Sequence, residues 1–429
     1  MEILLIGNGF DLEHKLPTSY GDFLMFCEKT KELYKYDPNT DIGVFENDVL
    51  NTWNTNESIK HSLLEAFKIR HNKSDIEGPS SDEEYNILDE LYNCIKQNIW
   101  LNYFVSHTKH LGENWIDFES EISKVIRDLD VAVCQLIKDN KISDSYIYKK
   151  STLSSIIGAA NLFSQDICRN IKSIEIFTNM LNTDLEKLIR ALEIYIAEFV
   201  EKVPIYEKSI DIENLNPDHL LSFNYSNTYE RVYGKEKNIK YNYIHGKADI
   251  NKNVETCNLV LGIDEYLDDN RKNEDLIFLT FKKYYQRIYK STGNSYLDWV
   301  DEIKGGYDNY IKTQKDTYAK IVQSFNDGSF NKYPYEIDNC IELSSETCPQ
   351  HILYIFGHSL DITDRDVLRL FICNENVQTK IYYHRKNQDD KKALGKIIKN
   401  LVQIIGQDEL IRRTGGKHKT IEFIPQTVH

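Results

Sequence analysis

The sequence predicts an α/β protein in which a Rossmann-like, mostly parallel sheet carries a large helical insertion. Three observations predict this class. A short apolar strand at residues 3–6 runs into a Gly-Asn-Gly turn, helical patterns fill residues 22–215, and strand patterns that alternate with helices follow them. We therefore expect residues 1–21 and 216–429 to form one discontinuous α/β domain, with residues 22–215 as a mainly helical insertion.

The first strand is predicted from four consecutive apolar residues at positions 3–6. Such a run is typical of a parallel strand that is buried on both faces. The glycine turn at residues 7–9 follows at once, and this is where an α/β sheet places a phosphate-binding loop. A tight turn with a purely structural role is the alternative interpretation.

The insertion is predicted from apolar side chains that recur at three- and four-residue steps. One stripe of this kind covers residues 118–137, and a second covers residues 185–203. Thr183 and Glu186 form the pattern of a capping box, which predicts that the second helix begins there, and Pro204 predicts its end.

Strand patterns return after the insertion. Strands are predicted at residues 219–223, 239–244, 259–261, 352–356, 380–383 and 420–424, and helices at 364–373 and about 389–405. Strands that alternate with helices favour a parallel sheet with helices on its faces. One sheet is therefore expected to combine the first strand with those after residue 219.

Composition argues against several classes of protein. The chain has 52 Lys and Arg against 67 Asp and Glu, a net charge of −15, which argues against nucleic acid as a partner because that affinity comes from cationic contacts. No apolar run is long enough to span a bilayer, and the first residues do not form a signal peptide. The eight cysteines contain no CxxC pair, so neither a zinc site nor a disulfide framework is expected. We expect a cytoplasmic protein with no membrane partner and no metal ligands.

The loop after the first strand is the first candidate binding site. Its glycines would let the backbone approach a pyrophosphate closely, and amides at the start of a following helix would hold the anion. A Pro-led turn follows, which suggests a lid over a bound ligand. The candidate binding residues are Gly7, Asn8, Gly9, Phe10, Asp11 and Pro17.

Two further strand ends carry polar residues. Asn224 follows the strand at 219–223, where its amide can orient a water molecule or a ribose hydroxyl, or can cap the next helix instead. His245 and Gly246 follow the strand at 239–244. His245 is a candidate general base with space left beside it by the glycine, and the alternative is a ring satisfied by loop carbonyls.

The loop after the strand at 352–356 is the last candidate. Glycine permits close approach of a ligand, serine can bind phosphate or ribose, and the aspartates can accept ribose hydroxyls or cap the next helix. The candidate binding residues are Gly357, His358, Ser359, Asp361 and Asp364.

Taken together, these motifs resemble those of the bacteriophage abortive infection family AbiH. They are GNGFDL at 7–12, NWIDFE at 114–119, SFNYSNTYE at 222–230, YIHGK at 243–247 and IFGHSLDITDRDVL at 355–368. The resemblance extends over nearly the whole chain. It implies a role in bacterial antiviral defence, in which an infected cell stops supporting phage growth.

A more distant similarity, to sirtuins and sirtuin-like NAD-cleaving defence proteins, implies a chemistry. Those proteins carry a Gly-x-Gly loop with a proline eight residues beyond it, as Gly9 and Pro17 do here. They also carry an Asn-containing strand end, a His-Gly pair and a late Gly-x-Ser loop. The resemblance implies a sirtuin-like sheet in which the loops of Gly7, Gly9 and Ser359 hold the dinucleotide. By the same resemblance, Asn224 positions water or ribose and His245 acts as general base. Without paired cysteines, protein deacylation is not expected.

The leading hypothesis is hydrolysis of NAD⁺ at the nicotinamide–ribose bond. Nicotinamide leaves as a neutral group, so little acid assistance is needed, and no cofactor or metal is required beside the NAD⁺ substrate. Two alternatives stay open: a non-catalytic nucleotide-sensing module, and a metal-dependent nuclease in which Asp361, Asp364 and Asp366 hold Mg²⁺. Because such an activity endangers its host, we expect an off state, with a phage-derived trigger and a homo-oligomer as partners.

Overall fold

A computed structural model of the chain describes residues 1–36, 41–74, 87–111, 117–139, 142, 151–234, 238–329, 347–387 and 389–427. Residues 114–116 of the NWIDFE motif, including Trp115, lie outside these ranges.

Six strands in the described ranges form one fully parallel sheet. They are β1 (Glu2–Ile6), β2 (His219–Ser222), β3 (Lys240–Tyr243), β4 (His351–Phe356), β5 (Val377–Tyr383) and β6 (Ile421–Pro425). Their order is β3-β2-β1-β4-β5-β6, with every neighbouring pair parallel. This is the strand order of the doubly wound Rossmann fold, so the predicted fold class is confirmed.

The helices connect and cover these strands. They are α1 (Asn8–Glu13), α2 (Tyr20–Leu33), α3 (Ile42–Phe45), α4 (Glu57–Ser74), α5 (Ile87–Ile95), α6 (Ile99–Leu111), α7 (Phe118–Asp139), α8 (Ser151–Ala159), α9 (Ser164–Ile167), α10 (Ile171–Ile194), α11 (Ile210–Glu213), α12 (Thr228–Val232), α13 (Lys283–Tyr289), α14 (Tyr296–Asn326), α15 (Arg365–Ile372), α16 (Lys392–Ile405) and α17 (Gln407–Thr414). Helices α3 and α10 continue as π-helical turns at Glu46–Leu50 and Tyr195–Val200. Short 3-10 turns lie at Leu279–Phe281, Ile362–Asp364 and Gly416–His418.

Both faces of the sheet are buried, as a continuous apolar strand predicts. In β1, Ile3 and Leu5 pack on one face with side chains of α14, α15 and α16. Leu4 and Ile6 pack on the other face with Phe10 of α1 and with side chains of α12. This alternation follows from the two-residue period of a strand, and it fixes which residues can reach the end of the sheet.

The helices between β1 and β2 share a third hydrophobic core. Side chains from the segment after β3 also belong to it, among them Cys257, Leu259, Leu261 and Phe281. The helical layer therefore packs directly beside the carboxyl edge of the sheet. The proposed domain boundary at residues 215–216 stays a prediction.

Two predicted details are wrong. Residues 259–261 do not form a strand, because their backbone leaves the sheet for the helical core and Leu261 N donates to the Gln286 side chain. The helix predicted to begin at Thr183 begins twelve residues earlier, at Ile171. The side chain of Asn170 caps it by accepting a hydrogen bond from Ser173 N, whereas the Thr183 hydroxyl bonds to a carbonyl inside the helix.

None of the described helices has the length and apolar character that crossing a lipid bilayer requires.

Candidate functional site

Four loops meet at the carboxyl edge of the sheet because the strands end at the same level. Ile6 of β1 is in register with Ser222 of β2 and with Phe356 of β4, and Ser222 is in register with Tyr243 of β3. The sequence candidates follow these positions by one to a few residues. The strand order reverses at β1 and β4, and open α/β sheets bind ligands at such a point.

The first and last of these loops are in backbone contact with each other. Gly9 N donates to Gly357 O at 2.8 Å, and Gly7 N donates to Phe356 O at 3.2 Å. A Cβ on Gly7 would lie 2.8 Å from the Cα of His358, and a Cβ on Gly9 would lie 2.8 Å from the Cα of Gly357. The glycines therefore allow the backbones of these two loops to touch. The amides of Gly7 and Gly9 are already hydrogen-bonded to carbonyls of the other loop. Their predicted contact with a pyrophosphate stays a prediction.

The other residues of the first loop lie in different environments. Asn8 is exposed, and Phe10 is fully buried against Phe356. The carbonyl of Pro17 accepts a hydrogen bond from the Tyr195 hydroxyl at 2.7 Å, which ties the turn to the helical layer.

Asp11 is a buried carboxylate beside β2. Its side chain is 1 % exposed, and its Oδ2 accepts a hydrogen bond from Ser226 Oγ at 2.6 Å. Burial raises the pKa of Asp11 to about 6, against the lowering effects of Ser226, Thr228 and Arg231. Burial also raises the pKa of nearby Glu201 to about 7. This side of the edge therefore holds acceptors suited to hydroxyl groups.

Asn224 connects β2 to the first loop. Its Nδ2 donates to Gly7 O at 3.0 Å, and among the described residues its buried Oδ1 has no hydrogen-bond partner. It does not cap the next helix, because α12 begins at Thr228, after Asn227. The capping alternative is thus wrong, and the amide oxygen is available to a ligand.

His245 lies two residues after Tyr243, the last residue of β3, and is 5 % exposed. Gly246 takes a φ of +83°, and a Cβ there would meet Asn258 O at 2.4 Å, so glycine lets the chain turn sharply after the histidine. His245 Nε2 lies 3.4 Å from Asp364 Oδ1. Within the described part of the chain, its buried Nδ1 has no hydrogen-bond partner, so loop carbonyls do not satisfy the ring.

His358 faces the same carboxylate from the other side. Its Nε2 lies 3.4 Å from Asp364 Oδ2, and its Nδ1 accepts a hydrogen bond from Leu360 N at 2.9 Å. Leu360 has a φ of +53°, a left-handed backbone that turns its amide toward the ring. Both nitrogens of His358 are engaged, and the Phe223 ring packs against both histidines. His358 is therefore held as part of the support for the site.

The remaining residues of this loop have separate positions. Asp361 Oδ1 accepts a hydrogen bond from Thr363 N and caps the 3-10 turn, which confirms the capping alternative for this residue. Ser359 is exposed, and its carbonyl accepts a hydrogen bond from Asn400 Nδ2. Asp364 makes no side-chain cap, because its carboxylate points into the histidine pair.

Sequence reasoning missed the cation of the site. Lys283 begins α13, is 2 % exposed, and its Nζ lies 3.0 Å from Asp364 Oδ1 and 2.7 Å from Glu119 Oε2. Glu119 lies in the first turn of α7, a position where the helix dipole also favours an acidic side chain. The one available signal was a pair of lysines at 282–283 set among aromatic residues.

The charges of this cluster depend on one another. Burial alone would raise the pKa of Asp364, but Lys283 and the two imidazoles hold that pKa well below its usual range. Burial raises the pKa of Glu119 to about 7 although Lys283 lowers it. Burial lowers the pKa of His245 to about 4, which Asp364 only partly opposes. At neutral pH His245 is therefore a neutral imidazole beside an ionised carboxylate.

This arrangement can accept a proton. With its proton on Nε2, His245 directs that N–H toward Asp364 and leaves a lone pair on Nδ1, and the carboxylate would stabilise the imidazolium that forms. The described residues hold no group of three or more His, Cys, Asp or Glu side chains arranged around a metal ion. The geometry thus favours general-base chemistry.

Comparison with known proteins identifies one family. A family model described as bacteriophage abortive infection AbiH matches residues 3–384 of the 429-residue chain. No curated protein and no solved structure matches the chain.

Proposed function

Because the chain belongs to the bacteriophage abortive infection family AbiH, with a role in bacterial defence against phage, we propose that it acts by hydrolysing NAD⁺ at the nicotinamide–ribose bond. The observation that carries this proposal is His245. It stands at the carboxyl edge of a Rossmann-order sheet, faces Asp364, and keeps a buried, unpartnered Nδ1 among the described residues.

In the proposed reaction, a water molecule attacks C1′ of the nicotinamide ribose. The C1′–N bond breaks, its electron pair goes to the pyridine nitrogen, and nicotinamide leaves as a neutral molecule. His245 Nδ1 takes one proton from the water, and Asp364 stabilises the resulting imidazolium across the 3.4 Å separation from Nε2. The products are nicotinamide, ADP-ribose and a proton, so the atoms and charges balance.

The neighbouring acceptors suit the ribose. A ribose offers two adjacent hydroxyl groups, and the buried Oδ1 of Asn224 and the carboxylate of Asp11 can accept hydrogen bonds from them. Both side chains lie beside the first loop, since Asn224 Nδ2 bonds to Gly7 O and Asp11 belongs to α1. Their positions support a sugar held against the first loop.

The test is incubation of the purified chain with NAD⁺, with free nicotinamide and ADP-ribose measured by chromatography. His245→Gln should lower turnover by about 10²- to 10⁴-fold, because it removes the base. The matched control is His219→Gln. His219 is also a buried histidine beside an aspartate, with Nδ1 2.5 Å from Asp218 Oδ1, but it lies at the opposite edge of the sheet. Equal losses in the two variants would contradict the role of His245.

The pH dependence gives a second measurement. Since burial lowers the pKa of His245 to about 4, the ring is already the free base at neutral pH. Turnover should fall in part as the pH drops through about 6, where the Asp11 carboxylate takes up a proton, and should be lost as the pH drops through about 4, where His245 does. Binding of NAD⁺ by calorimetry without product at any pH would instead favour the nucleotide-sensing alternative.

A further inference from the structure

The site is assembled from three elements that are distant in sequence. Glu119 comes from α7 in the helical layer, Lys283 from α13, and Asp364 from the turn before α15 at the sheet edge. The ammonium of Lys283 joins the other two, at 2.7 Å from Glu119 Oε2 and 3.0 Å from Asp364 Oδ1. A second contact across the same boundary runs from Thr363 Oγ1 to Glu119 Oε2 at 3.3 Å. One cation therefore bridges the helical layer and the sheet.

Both oxygens of Asp364 are engaged. Oδ1 faces Lys283 and His245, and Oδ2 faces His358. Lys283 is the closest of these groups and the only one with a permanent charge at neutral pH. A carboxylate this deeply buried needs a cationic partner, because an unpaired charge in the interior is strongly unfavourable. Lys283 supplies that partner and leaves His245 neutral.

Other ionisable groups surround the cluster from every neighbouring element. They are Tyr20 of α2, Asp117 before α7, Tyr225 after β2, Asp264 in the segment after β3, Arg287 of α13 and Asp361 after β4. Of these, Arg287 is the other cation, and it pairs with Asp366. Lys283 is thus the cation that directly contacts the Asp364 carboxylate in the described structure.

We propose that Lys283 is a positioning residue: it holds the Asp364 carboxylate between the two histidines, keeps His245 neutral, and fastens α7 over the site through Glu119. This inference rests on the proposed role of His245 as base. It goes beyond that role by assigning the cation that keeps His245 unprotonated. The same cation connects α7, through Glu119, to the Asp364 carboxylate.

Removal of Lys283 should change the protonation of His245. In Lys283→Met the aliphatic part of the side chain is kept while the charge is lost. The buried Asp364 carboxylate then lacks its cation, and His245, at 3.4 Å, is placed to take up a proton and replace it. A charge change within about 4–6 Å moves a titration by about one to three pH units.

The experiment is a histidine-ring NMR titration of the full chain between about pH 5 and pH 8. The His245 signal is assigned by its loss in His245→Gln. In the wild type this signal should stay that of a neutral ring over the whole range. In Lys283→Met the ring should take up a proton within the range, because its midpoint moves up from about 4 by about one to three pH units. The titration needs no substrate, so it distinguishes a failure of this inference from a failure of the proposed NAD⁺ hydrolysis.

Lys282→Met is the matched control. Lys282 is the adjacent residue, is 1 % exposed, and pairs with Glu265 at 2.8 Å instead of with Asp364. An unchanged His245 titration in Lys283→Met, or the same change in both lysine variants, would overturn the proposal. If Lys283→Met does not fold, Glu119→Gln tests the fastening alone. It should raise the hydrogen-exchange rate of the Ser120 and Glu121 amides, which bond to Asp117, by about twofold or more relative to Lys282→Met, and unchanged exchange would count against the proposal.

Discussion

The pKa of Asp11 shows how strongly burial affects a single side chain at the carboxyl edge of the sheet. Asp11 lies in α1 with 1 % of its side chain exposed, and its nearest compensating groups are the neutral hydroxyls of Ser226 and Thr228. A carboxyl in these surroundings favours its protonated form, which explains why its pKa rises to about 6. The ionised form therefore destabilises the fold at neutral pH.

We expect Asp11→Asn to gain stability over the wild type as the pH rises. The raised pKa means that Asp11 favours folding below its unfolded pKa of about 3.8 and that this contribution is lost as the pH rises through about 6. Between about pH 4 and pH 8 the difference in unfolding free energy should move by about 2 kcal/mol in favour of the variant. Urea unfolding at both values measures it, and a difference that does not change with pH would contradict the buried-carboxylate interpretation.

Some site residues could be predicted from the sequence and others could not. Asn224, His245 and Asp364 each follow a strand that the sequence pattern predicts, so their meeting at one edge follows from parallel strand ends. Lys283 follows no strand, and its burial arises from contact with Glu119, 164 positions earlier in the chain. No local pattern encodes a contact of that kind.

At the scale of elements, two loops are locked together where β1 and β4 end. Gly357 has a φ of +67°, and a Cβ there would lie 2.2 Å from Phe10 N. The chain can therefore take this path only with glycine at this position. The predicted Gly-rich turns were visible in the sequence, but their contact with each other depends on the strand order, which local patterns do not fix.

Gly357→Ala should destabilise the protein by at least about 2 kcal/mol, since it combines backbone strain with a backbone clash. The matched control is Gly395→Ala, inside α16, where an added Cβ meets no atom within 4 Å of it. That change should stabilise the helix by about 0.5–1 kcal/mol. Thermal unfolding of both variants measures the contrast, and two shifts of the same sign would contradict it.

At the scale of the whole molecule, Arg190 joins the helical layer to the segment after β3. It is fully buried in α10, and its guanidinium donates to both oxygens of Glu90, to Glu193, and to the carbonyls of Asp249 and Ile250. The bidentate pair with Glu90 and the two carbonyl bonds use the fork geometry that only arginine offers. One side chain thus links three parts of the chain.

Arg190→Met should lower the free energy of unfolding by about 3–5 kcal/mol, because two buried glutamates lose their cation. Arg412→Met is the control. Arg412 also pairs with two glutamates, Glu375 and Glu409, but its side chain is 36 % exposed, and its loss should change stability by about 1 kcal/mol or less. Similar urea midpoints for the two variants would show that Arg190 does not stabilise the contact between the helical layer and the segment after β3.

The doubly wound class was predictable from one apolar strand, a glycine turn and later strands that alternate with helices. The contribution of residues after β3 to the helical core was not, because an apolar run such as 259–261 has the same pattern in a strand and in a buried loop. The same ambiguity is why the proposed boundary between the two parts of the chain stays a prediction.

The central position of β1 has a consequence for synthesis on the ribosome. Its two neighbours are β2, which begins at His219, and β4, which begins at His351. At ordinary translation rates the second neighbour emerges roughly 20 to 70 seconds after β1. Throughout that interval the nascent chain carries an apolar strand with one or both edges unpaired, which is the kind of segment that chaperones bind.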